Sequence, residues 1–210
     1  EVNPEPQPLS KSILKEEMKY WSREWDTLNG GERRTQKFIT PTKFNYLLQY
    51  QQLTQDTNIK EYLEKSLVNI AKSGIVDHLQ GGFYRYTVDP EWKIPHFEKM
   101  LYDNALLVPC YLDGYRQTQD GRFAGVARTT LDYLLREMRA EAGGFWSSQD
   151  AQSEGVEGKF FVWELAEVQQ LLGPDAAMVA KVLGISRSGN WEHTNVLWLA
   201  NEGAATAALE

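Results

Sequence analysis

The sequence predicts an all-α chain of helical hairpins stacked side by side. Three observations predict it. Apolar residues recur at helical spacing over most of the chain. Glycine pairs at Gly30-Gly31, Gly81-Gly82 and Gly143-Gly144, followed by a looser Gly189, return at intervals of roughly fifty residues, and a repeat of that size marks stacked helical units. Each glycine signal closes the second helix of a pair, so in a ring or solenoid the loops that follow gather on one face, where a site belongs.

The elements follow in order. Residues 1–8 are polar and proline-rich and read as a linker, and Leu209-Glu210 reads as a remnant of cloning. Ile13, Leu14, Met18 and Trp21 mark a first helix from about Leu9 to Trp25, capped by Ser10 or Ser12. It has no partner upstream, which points to the second half of a hairpin cut away. Thr40-Pro41 opens the second helix, with proline where its missing N–H costs nothing. The third carries Ile59, Tyr62, Leu63, Leu67 and Ile70 on one stripe and stops at Ser73-Gly74. A fourth is expected from about Glu98 to Gln117, with a kink at Pro109. The fifth starts at Gly121 and buries Phe123, Val126, Ala127, Thr130, Leu131, Leu134, Leu135 and Met138. Phe160 to Trp163 is short and apolar enough for a strand, and two short helices follow, about Glu164 to Leu172 and Pro174 to Leu183. A cut ring would leave this last hairpin uncovered at Val168, Leu171, Leu172 and Val182, so self-association through that edge is expected.

Composition removes several classes of function. The 210 residues carry a net charge of −7 without a basic run, so nucleic acid is not expected as a partner. No apolar run approaches the roughly 20 residues needed to cross a bilayer, and none resembles a signal peptide, so no membrane is expected. Cys110 is alone, which excludes an internal disulfide and fits a reducing, cytoplasmic setting. There is no P-loop, no dinucleotide fingerprint and no Gly-x-Ser-x-Gly elbow, and Asp77-His78 is too poor a pair to specify a metal, so neither cofactor nor metal is expected. Seven Trp, ten Tyr and eight Phe are more rings than a bundle of this size needs, and rings with polar tips often line clefts for sugars and other small molecules.

The stretch from Asp77 to Asn104 is where the groups able to do chemistry are densest, with two of the three histidines. A loop of that length is uncommon unless it binds something. His96 is the nearby side chain that exchanges a proton near neutral pH. Glu98 follows it at the expected helix start, where the helix dipole alone favours a carboxylate. If Glu98 and Asp103 are both helical they diverge by about 140°, so only one faces a cleft squarely. The next loop offers Gln149, Asp150, Ser153, Glu154 and Glu157, and carboxylates crowded in a cleft shift apart in pKa, as an acid and a base must. We therefore take His96, Glu98, Asp103 and Asp150 as candidate proton-transfer groups. Tyr84, Arg85, Trp92, Trp146, Gln149, Glu154 and Trp191 are the candidate substrate contacts. His96 is expected to converge with a carboxylate of the 149–157 loop.

The runs GGFYRYTVDPEWKIPHFEKMLYDNALL, GGFWSSQDAQSEGVEGKFFVW and GNWEHTNVL resemble the thioredoxin-domain proteins related to spermatogenesis-associated protein 20, over about Trp25 to Val196. The resemblance implies a partial (α/α) toroid of the six-hairpin glycosidase type over residues 9–208, truncated relative to the full ring, with a thioredoxin domain upstream and further hairpins downstream. Where the family reads like GGFG and then PKFP, this chain has Gly30-Gly31-Glu32 and Lys37-Phe38-Ile39. Relatives of that barrel include sugar epimerases and glycoside hydrolases. The implied function is chemistry on a sugar-like molecule at an aromatic, acidic cleft; the alternative is a non-catalytic binding or scaffold module serving a thioredoxin-type redox protein.

Overall fold

A computed structural model describes residues 10–201. The linker at 1–8 and the residues 209–210 lie outside them. Helix α1 (Lys11–Trp21) is capped by Ser10, whose hydroxyl accepts from the Ile13 amide, and tightens into a 3₁₀ turn at Ser22–Glu24. Two hairpins follow, α2 (Pro41–Thr54) with α3 (Thr57–Lys72), and α4 (Leu101–Thr118) with α5 (Gly121–Tyr133), which continues as a π turn over Leu134–Met138. Their inner faces build one core of Leu47, Leu48, Leu63, Leu67, Ile70, Leu107, Tyr111 and Phe123, and they stack α2 against α4 and α3 against α5. Helix α4 runs through Pro109 without a break.

The glycine turns explain the repeat. In the first, Asp26 Oδ1 accepts from the amides of Leu28 and Asn29, its Oδ2 takes the Lys37 ammonium at 2.5 Å, and Lys37 also donates to the Gly30 carbonyl. In the second, Asp77 Oδ1 accepts from Leu79 and Gln80, its Oδ2 takes Lys99 at 2.7 Å, and Lys99 donates to the Gly81 carbonyl. Both lysines are buried, and rings cover them: Trp92 over Lys37, and Tyr84, Tyr133 and Phe161 around Lys99. A buried ammonium is tolerated only with such partners. The second helix of the next hairpin lies against each turn. A Cβ on Gly30 would meet Ser66 Cα of α3 at 2.5 Å, and one on Gly81 the Thr129 carbonyl of α5 at 2.4 Å, which is why glycine stands there.

Several expectations are corrected. The fourth helix begins at Leu101, not at Glu98, because His96 to Met100 is extended and alternates outward and inward, burying Phe97 and Lys99 and exposing His96 and Glu98 in part. Leu131 and Leu135 of the fifth helix are 43% and 55% exposed, while Tyr133, off the expected stripe, is wholly buried. The residues Phe160 to Trp163 form a turn with one isolated bridge, Trp163 to Asn195. The strands lie instead in the acidic loop: β6 (Gln152–Ser153) and β7 (Val156–Glu157) close around Glu154-Gly155, both at positive φ, as a two-residue hairpin turn requires. The short helices α6 (Leu165–Leu172) and α7 (Ala176–Val182) pack on one another and on Ile185 and Leu197 as a separate small cluster. Val168 is buried within it, Val182 is half-buried, and Leu171 and Leu172 are exposed.

Candidate functional site

Short strands on the glycine-turn side position the candidate residues. Strand β2 (Tyr86–Thr87) lies between β1 (Lys37–Phe38) and β3 (Pro95–His96), all antiparallel, with Tyr86 opposite His96. The loop between β2 and β3 is folded around Asp89, whose carboxylate accepts from the amides of Glu91, Lys93 and Ile94. Strand β4 (Lys99–Met100) pairs with β5 (Ser148–Gln149), which draws the loop after α5 against the loop after α3. The buried Asn104 amide brackets Phe83, accepting from its N–H and donating to its carbonyl, and so fixes the approach to Tyr84 and Arg85. Trp191, from the last loop, packs on Phe97 with ring centres 5.1 Å apart. The three loops therefore meet.

Two polar clusters result. In one, His96 Nδ1 lies 2.7 Å from Glu157 Oε1, and the imidazole stacks on Tyr86 at 5.0 Å. With Nδ1–H donated to the carboxylate, Nε2 is left as the basic atom, and the carboxylate stabilises the imidazolium that forms when it takes a proton. In the other, Arg85 donates to Glu98 (Nη1 to Oε2, 3.0 Å), with the Tyr102 hydroxyl beside the same guanidinium. Asp103 adjoins that pair. Burial pushes its carboxyl up to about 6, the Arg85 charge opposing and the Glu98 charge adding to the rise. His96 and Glu98 flank the inward Phe97 on extended backbone and so share a side, which ties the two clusters together.

The other candidates divide. Trp92 is not a substrate contact: it is wholly buried, and its indole N–H is shared by the carbonyls of Asn29 and Gly30. Tyr84 is also core, packed on Phe97 and Phe161 with its hydroxyl turned to Asp77. Asp150 is exposed and caps its own turn through the Gln152 amide, so the carboxylate that meets His96 is Glu157 instead. Gln149 accepts from the Tyr133 hydroxyl at 2.8 Å, and Glu154 pairs with Lys159 at the exposed hairpin tip. Trp146 is 62% exposed. Glu157, Tyr86 and Tyr102 are the additions; the pattern Tyr84-Arg85-Tyr86 was visible, but nothing local singles out Glu157 from its acidic neighbours.

Two cavities of about 370 and 390 Å³ flank the loop 76–80, yet neither is lined by His96, Glu98, Asp103 or Glu157. Their ionisable groups are largely committed: Asp77 to Lys99, and His78 to the Ser73 carbonyl, with its basicity lowered by burial. The chemistry favours the open cluster. Among the described residues no group of three or more His, Cys, Asp or Glu could hold a metal ion, and no helix is long and apolar enough to cross a membrane.

Solved structures share this architecture. The cellobiose 2-epimerase of Spirochaeta thermophila matches with a TM-score of 0.55 at 18% identity, over 69% of this chain and 42% of that one. The cellobiose 2-epimerase of Bacillus thermoamylovorans gives 0.58 at 15%, over 71% and 44%, and a sugar epimerase from a ruminal bacterium 0.54 at 17%, over 81% and 48%. The fold is thus that of slightly less than half of an (α/α) toroid. No protein-family model matches the chain. In sequence it is 40% identical over 158 residues to spermatogenesis-associated protein 20 of Mus musculus, covering 70% of this chain and 20% of that protein. It is 37% identical over 186 residues to the protein of the same name in Rattus norvegicus, covering 79% and 24%. The chain therefore spans about a quarter or less of the length of these relatives. Over the part that it spans, it belongs to the family of spermatogenesis-associated protein 20.

Proposed function

We propose that this chain forms one wall of a carbohydrate site and supplies its proton-transfer groups, for epimerisation or isomerisation of a sugar or for glycoside hydrolysis. The observation that carries the reading is the convergence of His96 and Glu157, from loops far apart in sequence; Asp103, whose carboxyl burial holds up to about 6, adjoins the neighbouring Arg85–Glu98 pair. A base and an acid that coexist near neutral pH are what both reactions need. In epimerisation, His96 Nε2 removes a proton from the carbon next to a sugar carbonyl, Glu157 stabilises the imidazolium, and protonated Asp103 gives its proton to the carbonyl oxygen. The enediol then takes a proton on the opposite face of that carbon from a second acid, supplied by the part of the protein this chain does not span, while Asp103 takes its own proton back. Arg85 and Tyr102 offer hydrogen bonds to hydroxyls, with Glu98 holding the guanidinium flat. Trp191 and Trp146 supply ring faces. The epimerase-like fold supports this assignment by analogy.

The test uses the longest natural form of the protein with a panel of reducing disaccharides and aryl glycosides. His96→Ala and Glu157→Gln are each expected to lower turnover by about 10²-fold or more, with thermal unfolding little changed because both side chains are partly exposed. Turnover unaffected by either change sinks the assignment of the proton-transfer groups.

A further inference from the structure

A cavity of about 480 Å³ lies between α1 and the turn that joins α2 to α3, and none of the proton-transfer groups lines it. That volume suits a small molecule. The α1 side is Lys15, Met18, Lys19 and Ser22, spaced as one face of a helix. Both lysines are exposed, and among the described residues neither has an ion-pair partner, although the chain carries a net charge of −7. The α3 side holds Asp56, whose carboxylate caps the helix by accepting from the amides of Asn58 and Ile59. Trp25 also lines the cavity. It is 5% exposed, and its indole lies flat on the Tyr62 ring with centres 4.0 Å apart. Its Nε1–H is buried and has no hydrogen-bond partner among the described residues, which is rare for a buried donor and calls for an acceptor.

We propose that this cavity is a second site, separate from the His96 cluster, for a small carboxylic acid with an apolar body. Its carboxylate takes the ammonium groups of Lys15 and Lys19 and supplies the acceptor that Trp25 Nε1–H lacks, in charge-assisted hydrogen bonds. The charge of the walls selects the head group: two lysines against the Asp56 carboxylate leave one positive charge, which matches a carboxylate better than a phosphate monoester with its charge near −2. Met18, Tyr50 and Ile59, also in the lining, pack against the apolar body. This inference does not depend on the proposed chemistry at His96.

Calorimetric titration of the longest natural form with octanoate tests it, with octanamide and octyl phosphate as the other arms. Octanoate is expected to bind with a Kd of about 1 mM or tighter, within reach of a ligand of that size. The double variant Lys15→Gln/Lys19→Gln, at two exposed positions where unfolding should be little changed, is expected to weaken binding about tenfold or more. Trp25→Phe keeps a ring on Tyr62 and is expected to weaken it about threefold or more. Absent binding of octanoate, or binding unchanged in either variant, overturns the proposal; the lysine variant decides alone if Trp25→Phe unfolds. Octanamide or octyl phosphate binding as tightly as octanoate overturns the assignment of a carboxylate.

Discussion

In the turns at Gly30 and Gly81, an aspartate exchanges backbone bonds with the glycine pair, caps the turn and holds a buried lysine; in the turn at Gly143, one residue shorter, Ala140 makes those backbone bonds, Arg139 precedes it, and among the described residues no lysine is buried beneath it. The first two turns are closed by rings and by the next hairpin, whereas the third stands open. Identical glycine pairs in sequence thus serve two situations. In the closed turns glycine is needed both for its backbone angle and for the space; at Gly143 and Gly144 only the angle demands it.

The largest effect that distinguishes them is electrostatic. Lys99→Ala leaves the Asp77 carboxylate buried without its cation and is expected to cost about 3–5 kcal/mol, whereas Arg139→Ala, at an exposed residue, should stay within about 0.5 kcal/mol. Urea unfolding of both variants checks the pair, and equal losses would erase the distinction. Next in size is the steric contrast. Gly82→Ala puts a Cβ 2.5 Å from a Tyr133 ring carbon at φ 80°, expected to cost about 2–4 kcal/mol. Gly144→Ala meets no neighbour and should cost about 1 kcal/mol for its backbone angle alone. If the two alanines cost the same, the third turn is as closed as the others.

A smaller effect separates the aspartates. Asp77 is matched by Lys99, but Asp103 is held above its ordinary value chiefly by burial. A carboxyl with a folded pKa near 6 and an unfolded one near 3.8 binds its proton more tightly in the folded state, so stability falls as pH rises through that window and stays lower above it. Asp103→Asn should therefore stabilise the chain by about 1–2 kcal/mol at pH 7.5, discounted for partial exposure, and by almost nothing at pH 4. Unfolding curves at the two pH values decide it; a variant that is equally stabilised at both would show that the carboxyl is not held up.

The helical pattern made the stacked hairpins legible, because α3 carries a clean apolar stripe, α5 holds its own from Phe123 to Thr130, and the glycine turns recur. The family was legible from three runs that no helical propensity dictates. What failed was local. His96 to Met100 reads as a helix start because Lys99, an inward residue, looks outward in sequence; only its pairing with Asp77, reached through the chain's return, reveals the alternation. Trp92 belongs to the core because Lys37 needs a ring above it, and that lysine lies in an unremarkable polar run. Glu157 is one acid among several until the β6–β7 turn aims it at His96.

The central claim, proton transfer at His96, is tested most directly by solvent exchange. The longest natural form, incubated in deuterium oxide with a reducing disaccharide, is expected to place deuterium on the carbon beside the carbonyl. His96→Ala should abolish that exchange, and Glu157→Gln should slow it, with unfolding unchanged in both. No exchange with any sugar, together with no hydrolysis of an aryl glycoside, would contradict the account and leave the chain a scaffold for the rest of its protein.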